Sequence, residues 1–295
     1  MYENKGAVKM KKGLMGVVSL AAIVLLGACG NAGAKKTNTT STSKATKKVD
    51  VANQWATIQK AGVIKVGTSA DFAPFEFHTM VNGKDTIVGS DIDMMNAIGK
   101  ELGVKVEYVD MDFNAVLAAL EQGQVDVAVS GISATAERKK TFNFSVNYFT
   151  PEQLVVVNKE NADKYTKLNS LAGKKVGAQK GSIQETIVKD QLPDSQIVSL
   201  AKVPNLMVEL KQNSIDAAVV ESAVAKSYVA QNSDLTIADA KLKTAEGDSY
   251  AVALPKDSNE LTEKINGALN KLINDGTIKN FVQKNTDLAN EKAAK

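Results

Sequence analysis

The chain has 295 residues, of which 44% are hydrophobic and 23% are charged. This length allows one large or two small hydrophobic cores, and the single cysteine excludes an internal disulfide. Residues 1–48 hold nine lysines and one acid, so the net charge of +3 becomes −5 over residues 49–295, and nucleic-acid binding is not supported.

The first 28 residues have the pattern of an export signal. Four lysines precede the apolar run Leu14–Leu26, which falls short of the ~20 residues that a membrane-spanning helix needs. Small residues and then Cys29 follow, as in the lipobox of bacterial lipoproteins. We therefore expect residues 1–28 to be a lipoprotein signal peptide and Cys29 to carry a lipid anchor on the cell membrane, outside the cytoplasm. A plain secretory signal and one membrane-spanning helix are the alternatives.

Residues 30–48 are rich in Thr, Ser and Lys and contain no large apolar side chain. Such a segment cannot bury enough apolar surface to offset the entropy of ordering it, so residues 29–48 are predicted to be a lipidated cysteine and a flexible tether. The folded part begins near residue 49, and residues 290–295 are expected to fray.

From residue 63 onward, short apolar runs alternate with segments of helical spacing. A strand, a helix, a strand, a helix and a strand are predicted in turn at 63–68, 90–102, 104–108, 113–120 and 125–129. The first helix is expected to be capped by Ser90 or Asp91 and to stop at Gly103. This βαβαβ order predicts an open, largely parallel α/β sheet.

A weak internal repeat indicates that the unit occurs twice. The segment Leu120–Val129 is echoed by Leu210–Val219, with an aspartate at the same place in each, Asp126 and Asp216. Upstream, residues 63–68 have a counterpart in residues 174–179. The repeat predicts two similar α/β lobes.

Several ordered blocks resemble the polar-amino-acid-binding proteins of ABC importers, extracellular solute-binding protein family 3. The blocks are residues 67–77, 89–103, 117–149, 171–182 and 261–281. The resemblance implies a periplasmic-binding-protein-like fold of two lobes, each a mainly parallel sheet flanked by helices, joined by two crossing segments. Lobe 1 would comprise residues 49–150 and 246–295, and lobe 2 residues 151–245. The crossings would be Gln153–Val157 and Tyr250–Leu254.

The function implied by the resemblance is to bind a ligand without catalysing a reaction. A polar amino acid would be clamped in the cleft between the lobes and delivered to the permease subunits of an ABC importer. We expect a monomer that needs no cofactor or metal.

A carboxylate site is predicted at Arg138 and Ser182. Arg138 follows the strand at 125–129 and so lies at a carboxyl end, where α/β sheets bind ligands, and a guanidinium can hold a carboxylate by two parallel hydrogen bonds. The resemblance places the carboxylate-binding arginine of the family there. Ser182 and Glu185 have capping-box spacing, which marks a helix start suited to an anion. A surface arginine and ordinary helix capping are the alternatives.

An acceptor for the ligand ammonium is predicted at Glu221, which ends a strand and stands where the family usually has aspartate. Ser130, Gly131 and Ser133 would assist it through carbonyl or hydroxyl groups. Glu221 as a solvated surface acid is the alternative, and its longer side chain leaves the usual position of the ammonium open.

The resemblance places an aromatic ring against the ligand at Phe72, whose alternative is an ordinary core residue; Phe75 and Phe77 are expected in the core. Asp71, Glu76 and Asp91 could compensate a cationic ligand side chain. Two features argue against a basic ligand. Ser69 replaces an aspartate of some basic-amino-acid binders, and Gln179 and Gln184 could bind the side chain of an amide ligand. The ligand is therefore left as a polar amino acid, basic or neutral.

The sequence has few residues of the types that catalyse reactions in enzymes. The single histidine, His78, is expected in a polar loop at the surface, and the single cysteine is assigned to lipid. No metal-binding spacing is present, since Asp91 and Asp93 point to different sides of a helix. A dehydratase-like enzyme of the same fold, using Glu76 or Glu221 as acid or base, and a ligand-sensing receptor subunit are the competing hypotheses.

Overall fold

The computed structural model of the protein describes residues 53–293. The predicted signal peptide, Cys29 and the tether lie outside the described residues. Within residues 53–293, no helix combines the length and apolar character needed to cross a membrane.

The described part alternates strands and helices. The strands are β1 (Val63–Thr68), β2 (Asp71–Phe72), β3 (Glu76–Val81), β4 (Lys84–Val88), β5 (Lys105–Asp110), β6 (Val127–Ala128), β7 (Phe142–Phe144), β8 (Gln153–Asn158), β9 (Lys175–Gln179), β10 (Gln196–Leu200), β11 (Ala217–Glu221), β12 (Leu235–Ile237) and β13 (Ala253–Pro255). The α-helices are α1 (Gln54–Ala61), α2 (Ser90–Leu102), α3 (Phe113–Glu121), α4 (Arg138–Thr141), α5 (Ile183–Gln191), α6 (Val203–Lys211), α7 (Ser222–Gln231), α8 (Asn259–Asn274) and α9 (Thr277–Ala293).

Two five-stranded sheets share one arrangement and define two lobes. The first lobe has the order β5-β1-β6-β13-β7 and the second has β10-β9-β11-β8-β12. In each sheet the first three strands are parallel, and the fourth runs antiparallel to both of its neighbours. The predicted two-lobed α/β fold is confirmed, with sheets that are mixed rather than wholly parallel.

The repeated aspartates make the same contact in both lobes. Asp126 accepts a hydrogen bond from the Lys65 backbone N–H at 2.8 Å, and Asp216 accepts one from the Lys175 N–H at 2.9 Å. Each aspartate therefore ties the turn before the third parallel strand to the start of its neighbour. The internal repeat read from the sequence is confirmed in the fold.

Helices cover both faces of each sheet, as the alternation of side chains along a strand requires. In the first lobe, Val127 and Val129 join the core that contains the apolar residues of α2 and α8, while Ala128 joins those of α3. In the second lobe, Val220 packs with residues of α6 and α7, and Val219 packs with those of α5. The carboxyl ends of the parallel strands form the edge at which open α/β sheets bind ligands.

The predicted crossings match the passages between the lobes only in part: Tyr250 lies in the return passage, but Ala253 and Leu254 of the predicted crossing Tyr250–Leu254 belong to β13. The first sheet ends its outgoing strand at Phe144 and the second sheet begins at Gln153, so the predicted crossing Gln153–Val157 is wrong: it lies inside β8, which is paired on both sides. On the return, Tyr250 pairs with Phe149 in an antiparallel bridge between the two passages. The lobe boundaries near residues 150 and 245 stay a prediction.

The start of α2 differs from the prediction by one residue. Its N-cap is Gly89 rather than Ser90 or Asp91, while Gly103 ends the helix in the left-handed conformation as expected. Gly89 has φ of 140°, and a Cβ there would lie 1.9 Å from the Phe75 carbonyl oxygen, so only glycine fits. The Asp91 carboxylate is consequently free for other contacts.

A small sheet of β2, β3 and β4 was not predicted. Asn82 and Gly83 join β3 to β4 and both have positive φ, 51° and 78°, as a two-residue hairpin turn requires. His78 lies on β3, not in a loop, and its ring nitrogens lie 3.0 Å from Asp85 Oδ2 and 3.1 Å from Asp110 Oδ2. The helix α9 extends to Ala293, and the fraying of residues 290–295 stays a prediction.

Candidate functional site

A narrow cavity lies between the two lobes, at the carboxyl ends of β6 and β9. Its first-lobe lining is Phe72, Phe113, Ser130, Gly131, Ser133 and Arg138, and its second-lobe lining is Gln179, Ser182, Ile183 and Gln184. The structure thus brings together six of the nine predicted ligand residues and both glutamines. Asp71, Glu76 and Glu221 do not line the cavity.

Arg138 connects the lobes across this cavity. Its Nη1 donates to the Ser133 carbonyl at 2.9 Å, and its Nη2 donates to the Gly181 carbonyl of the second lobe at 3.2 Å. Burial lowers the pKa of the guanidinium to about 10, so it stays charged at neutral pH. Among the cavity-lining residues of the described part, Arg138 carries the only charge. It can therefore bind an anionic group, such as a carboxylate, that enters between the lobes.

The start of α5 faces the same space. Ser182 is its N-cap, and the hydroxyl oxygen accepts a hydrogen bond from the Glu185 N–H at 3.3 Å while donating to the Gln179 carbonyl at 2.7 Å. The reciprocal bond of the predicted capping box is shifted by one residue, because the Glu185 carboxylate accepts from the Gly181 N–H at 2.9 Å. The positive end of the helix dipole adds to the attraction of Arg138 for an anion.

An aromatic wall encloses the cavity on the first-lobe side. The Phe72 ring stacks on Phe75 at a centroid distance of 5.8 Å, and Phe75 meets Tyr250 edge-on at 5.4 Å. Gly131 lies against this wall with φ of +52°, and a Cβ there would lie 3.0 Å from the Phe72 ring and 3.2 Å from that of Tyr250. Phe72 serves both as a core residue and as a lining residue, whereas Phe75 and Phe77 are buried, as expected.

Four carboxyl groups, three of them buried and Asp71 half-buried, lie around this cavity wall, and each has one buried oxygen without a hydrogen-bond partner outside the group. They are Asp71, Glu76, Asp91 and Glu221. Burial raises the pKa of Asp71 and Glu221 to about 7 and that of Asp91 to about 6, and it raises the pKa of Glu76 well above its usual value. Within residues 53–293, no group of three His, Cys, Asp or Glu side chains could hold a metal ion.

Two of these carboxyl groups hold the lining residues from behind. Glu76 Oε1 accepts from the Ser130 hydroxyl at 2.8 Å. Asp91 Oδ2 accepts from the Gly131 N–H at 3.0 Å and from the Tyr148 hydroxyl at 2.7 Å. They therefore set the position of the wall and place negative charge next to it.

Asp71 forms a second contact between the lobes, because its Oδ1 accepts a hydrogen bond from the Gln179 amide at 3.2 Å. The contact joins a residue of β2 to the last residue of β9. With the Arg138–Gly181 bond, it joins the lobes on two sides of the cavity.

Glu221 has a local structural role. It ends β11, as predicted, and it is the N-cap of α7, accepting a hydrogen bond from the Val224 N–H. It is fully buried, so the alternative of a solvated surface acid is wrong. Its role as the ammonium acceptor stays a prediction.

Four residues of the site were missed from the sequence: Phe113, Ile183, Tyr148 and Tyr250. Phe113 begins α3 and Ile183 begins α5, so both adjoin strand ends that the sequence analysis had already marked. Tyr148 and Tyr250 lie in the passages between the lobes; the resemblance placed Tyr250 at the start of a crossing, but nothing in the sequence marked either tyrosine as a site residue.

Two similar α/β lobes around a small polar cavity, connected by paired passages, form the architecture of a solute-binding protein. The chain belongs to the bacterial extracellular solute-binding proteins, family 3, whose family model matches residues 64–287. The family is extracellular, so the protein acts outside the cytoplasm.

Three relatives illustrate this membership. The arginine-binding extracellular protein ArtP of Bacillus subtilis (strain 168) is 38% identical over 224 residues, covering 74% of this chain and 84% of ArtP. The amino acid ABC transporter substrate-binding protein AbpA of Streptococcus pneumoniae Canada MDR_19A, bound to L-arginine, has a TM-score of 0.77 and 44% identity over 79% of this chain and 98% of AbpA.

The third relative is an ancestral amino acid-binding protein that is a precursor of cyclohexadienyl dehydratase. It has a TM-score of 0.71 and 34% identity over 78% of this chain and 98% of its own. All three are binding proteins, so the prediction that this chain is a binding protein rather than an enzyme is confirmed.

Proposed function

We propose that this protein binds arginine between its lobes and delivers it to the permease subunits of an ABC importer. Arginine offers a carboxylate, an ammonium and a guanidinium. The carboxylate is bound by Arg138 and the start of α5 at Ser182, where an anion is favoured by charge and by unpaired helix N–H groups. ArtP and arginine-bound AbpA, both similar to this chain, support this ligand.

The observation that carries the choice of a cationic ligand is the group of four carboxyls around the cavity wall. Within residues 53–293, none of the four is in an ion pair with a lysine or arginine. A buried carboxylate without a partner is costly, and a cation brought by the ligand removes that cost. A neutral amino acid offers only its ammonium for this purpose, whereas arginine offers two positive groups.

Capture proceeds by closure of the lobes. The ligand contacts Phe72, Ser130, Ser133 and Arg138 of the first lobe in an open form, and the second lobe then adds Ser182 and its neighbours. Contacts that exist only after closure drive the motion, which occurs in the passages between the lobes. The closed form is the species that docks on the permease.

The protein is held at the cell membrane by a lipid on Cys29, with residues 30–48 as a flexible tether. This proposal rests on the lipobox pattern. A tether of this composition lets a monomer reach the permease while it stays attached to the membrane.

A thermal-shift screen against the common amino acids tests the ligand. Binding to the native state alone stabilises it by RT ln(1 + [L]/Kd), or ~2.7 kcal/mol at a hundredfold excess over Kd. We expect the largest shift with L-arginine and smaller shifts with lysine and histidine. A shift with glutamine alone would make Gln179 and Gln184 the selecting residues, and no shift with any amino acid would contradict the proposal.

A further inference from the structure

Glu76 and Asp91 form a buried pair of acids directly behind the cavity wall. Glu76 begins β3 and Asp91 lies in the first turn of α2, and the two side chains are 0% and 1% exposed. One oxygen of each holds a lining residue, Ser130 for Glu76 and Gly131 for Asp91. The other oxygens, Glu76 Oε2 and Asp91 Oδ1, have no hydrogen-bond partner outside the pair, and the two carboxyl groups lie close enough to interact with each other.

The charged and titratable groups that face this pair from the surrounding elements are all acidic. They are Asp71 of β2, Tyr108 of β5, Glu221 of β11, and Tyr148 and Tyr250 of the two passages. Asp71 and Glu221 each have a lysine near enough to lower their pKa, Lys202 and Lys226, but among the described residues no lysine or arginine does so for Glu76 or Asp91.

Two adjacent carboxyl groups in a dry site without a cation resist double ionisation, because the charge of each raises the pKa of the other. We propose that Glu76 and Asp91 share one proton in the ligand-free protein and release it to solvent when a cationic ligand occupies the cavity. Asp91 is then a positioning residue that makes the site select for positive charge. The inference rests on the proposed function, because it requires a cationic ligand.

The pKa values agree in direction with this arrangement. Burial and the charge of Asp91 raise the pKa of Glu76, and burial raises that of Asp91 to about 6. A cation in the cavity favours the ionised pair, so the ligand-bound pKa is lower than the ligand-free one. Affinity for the cation must therefore fall as pH falls through the ligand-free pKa, by at most ~10-fold per pH unit for one proton.

Calorimetry with L-arginine tests this coupling in the whole protein. Heats of binding measured in two buffers of different ionisation enthalpy give the number of protons released per arginine. We expect net release, approaching one proton, at pH values where the ligand-free pair holds one proton, and a decline of this release at higher pH, where the pair loses that proton before the ligand binds. Affinity should rise with pH over the range in which net release occurs.

Asp91→Asn and Glu76→Gln identify the source of the proton. Both changes keep the shape of the side chain and its acceptor oxygen for the wall residue, and both should abolish most of the release. Asp93→Asn is the matched control on the same helix, because Asp93 contacts Lys284 at 2.9 Å on the outer side; it should leave the release unchanged. Asp71→Asn tests the other acid near the cavity as a source of the proton.

Each outcome bears on a different claim. Arginine binding without proton release in the wild type, or release that persists in both Asp91→Asn and Glu76→Gln, would overturn the shared proton and leave the proposed function intact. Release that is lost only in Asp71→Asn would assign the proton to Asp71 and overturn the inference. No arginine binding at any pH would contradict the proposed function itself.

Discussion

At the scale of single residues, Arg138 combines two tasks. It is the one charged lining residue of the described part, and it bonds to both lobes through Ser133 and Gly181. A carboxylate that enters the cavity competes with those carbonyls for the guanidinium, and it competes well because both partners are then charged and can form two parallel hydrogen bonds. We therefore propose that Arg138 couples ligand capture to the contact between the lobes.

Arg138→Ala should weaken arginine binding by roughly 30-fold or more, since truncating a buried charge partner costs ~2–5 kcal/mol. Arg138→Lys should recover only part of the loss, because an ammonium cannot form the two parallel bonds. Lys139→Ala, which removes an exposed neighbour, is the control and should bind as the wild type does. Calorimetric binding by Arg138→Ala at near wild-type strength would show that the carboxylate lies elsewhere.

Gly131→Ala should destabilise the protein and weaken binding. Its positive φ costs ~1–2 kcal/mol for any residue with a Cβ, and the new methyl group would press on Phe72 and Tyr250 at a further cost of ~1–3 kcal/mol. Gly62→Ala is a matched control with φ of +67° and nothing within 4 Å of the added Cβ. Denaturant unfolding should therefore show the larger loss for Gly131→Ala, and equal losses would remove the role of the aromatic wall.

At the scale of elements, the regular strands and helices could be predicted because apolar spacing dictates them. The sequence located β1, α2, β5 and α3 to within a few residues, and the aspartate repeat located the two lobes. Gly89 could not be recognised as the cap of α2, because its need for glycine comes from the distant Phe75 carbonyl. The carboxyl cluster was anticipated in part, but which residues line the cavity depends on how the lobes meet, and local spacing does not encode that.

Ser182→Ala should lower the free energy of unfolding by ~1 kcal/mol, because the first turn of α5 loses its cap. Ser182→Gly should cost only a few tenths of a kcal/mol, since glycine is tolerated at an N-cap. If Ser182 also contacts the ligand, both variants should lose a similar amount of arginine affinity despite their different stability. Wild-type affinity in both would limit Ser182 to capping.

At the scale of the whole molecule, the buried acids make stability depend on pH and on the ligand. The pKa values of Asp71 and Glu221 are raised to about 7 and that of Asp91 to about 6, above the ~4 of an unfolded chain. Between the unfolded and the folded pKa values, the native state thus binds more protons than the unfolded state. The stability that these protons contribute is lost as pH rises through the folded pKa values.

The melting temperature of the ligand-free protein should consequently fall between pH 5 and pH 8. The free energy of unfolding should decrease by ~1.4 kcal/mol per pH unit for each proton that only the native state holds. His78, whose pKa is raised by its two aspartate neighbours despite some burial, acts in the same direction. Arginine should restore stability most at pH 8. A melting temperature that rises across this range without ligand would contradict the buried, unpaired state of the acids.

The proposed site has two parts: Arg138 binds the carboxylate, and the buried acids favour positive charge. Calorimetry with L-arginine, L-citrulline and agmatine separates them, because citrulline replaces the guanidinium with a neutral group of similar shape and agmatine lacks the carboxylate. We expect each analogue to bind at least about tenfold more weakly than arginine, the loss of one charge-assisted contact. Citrulline binding as tightly as arginine would contradict selection for a cation, and agmatine binding as tightly would contradict the role of Arg138.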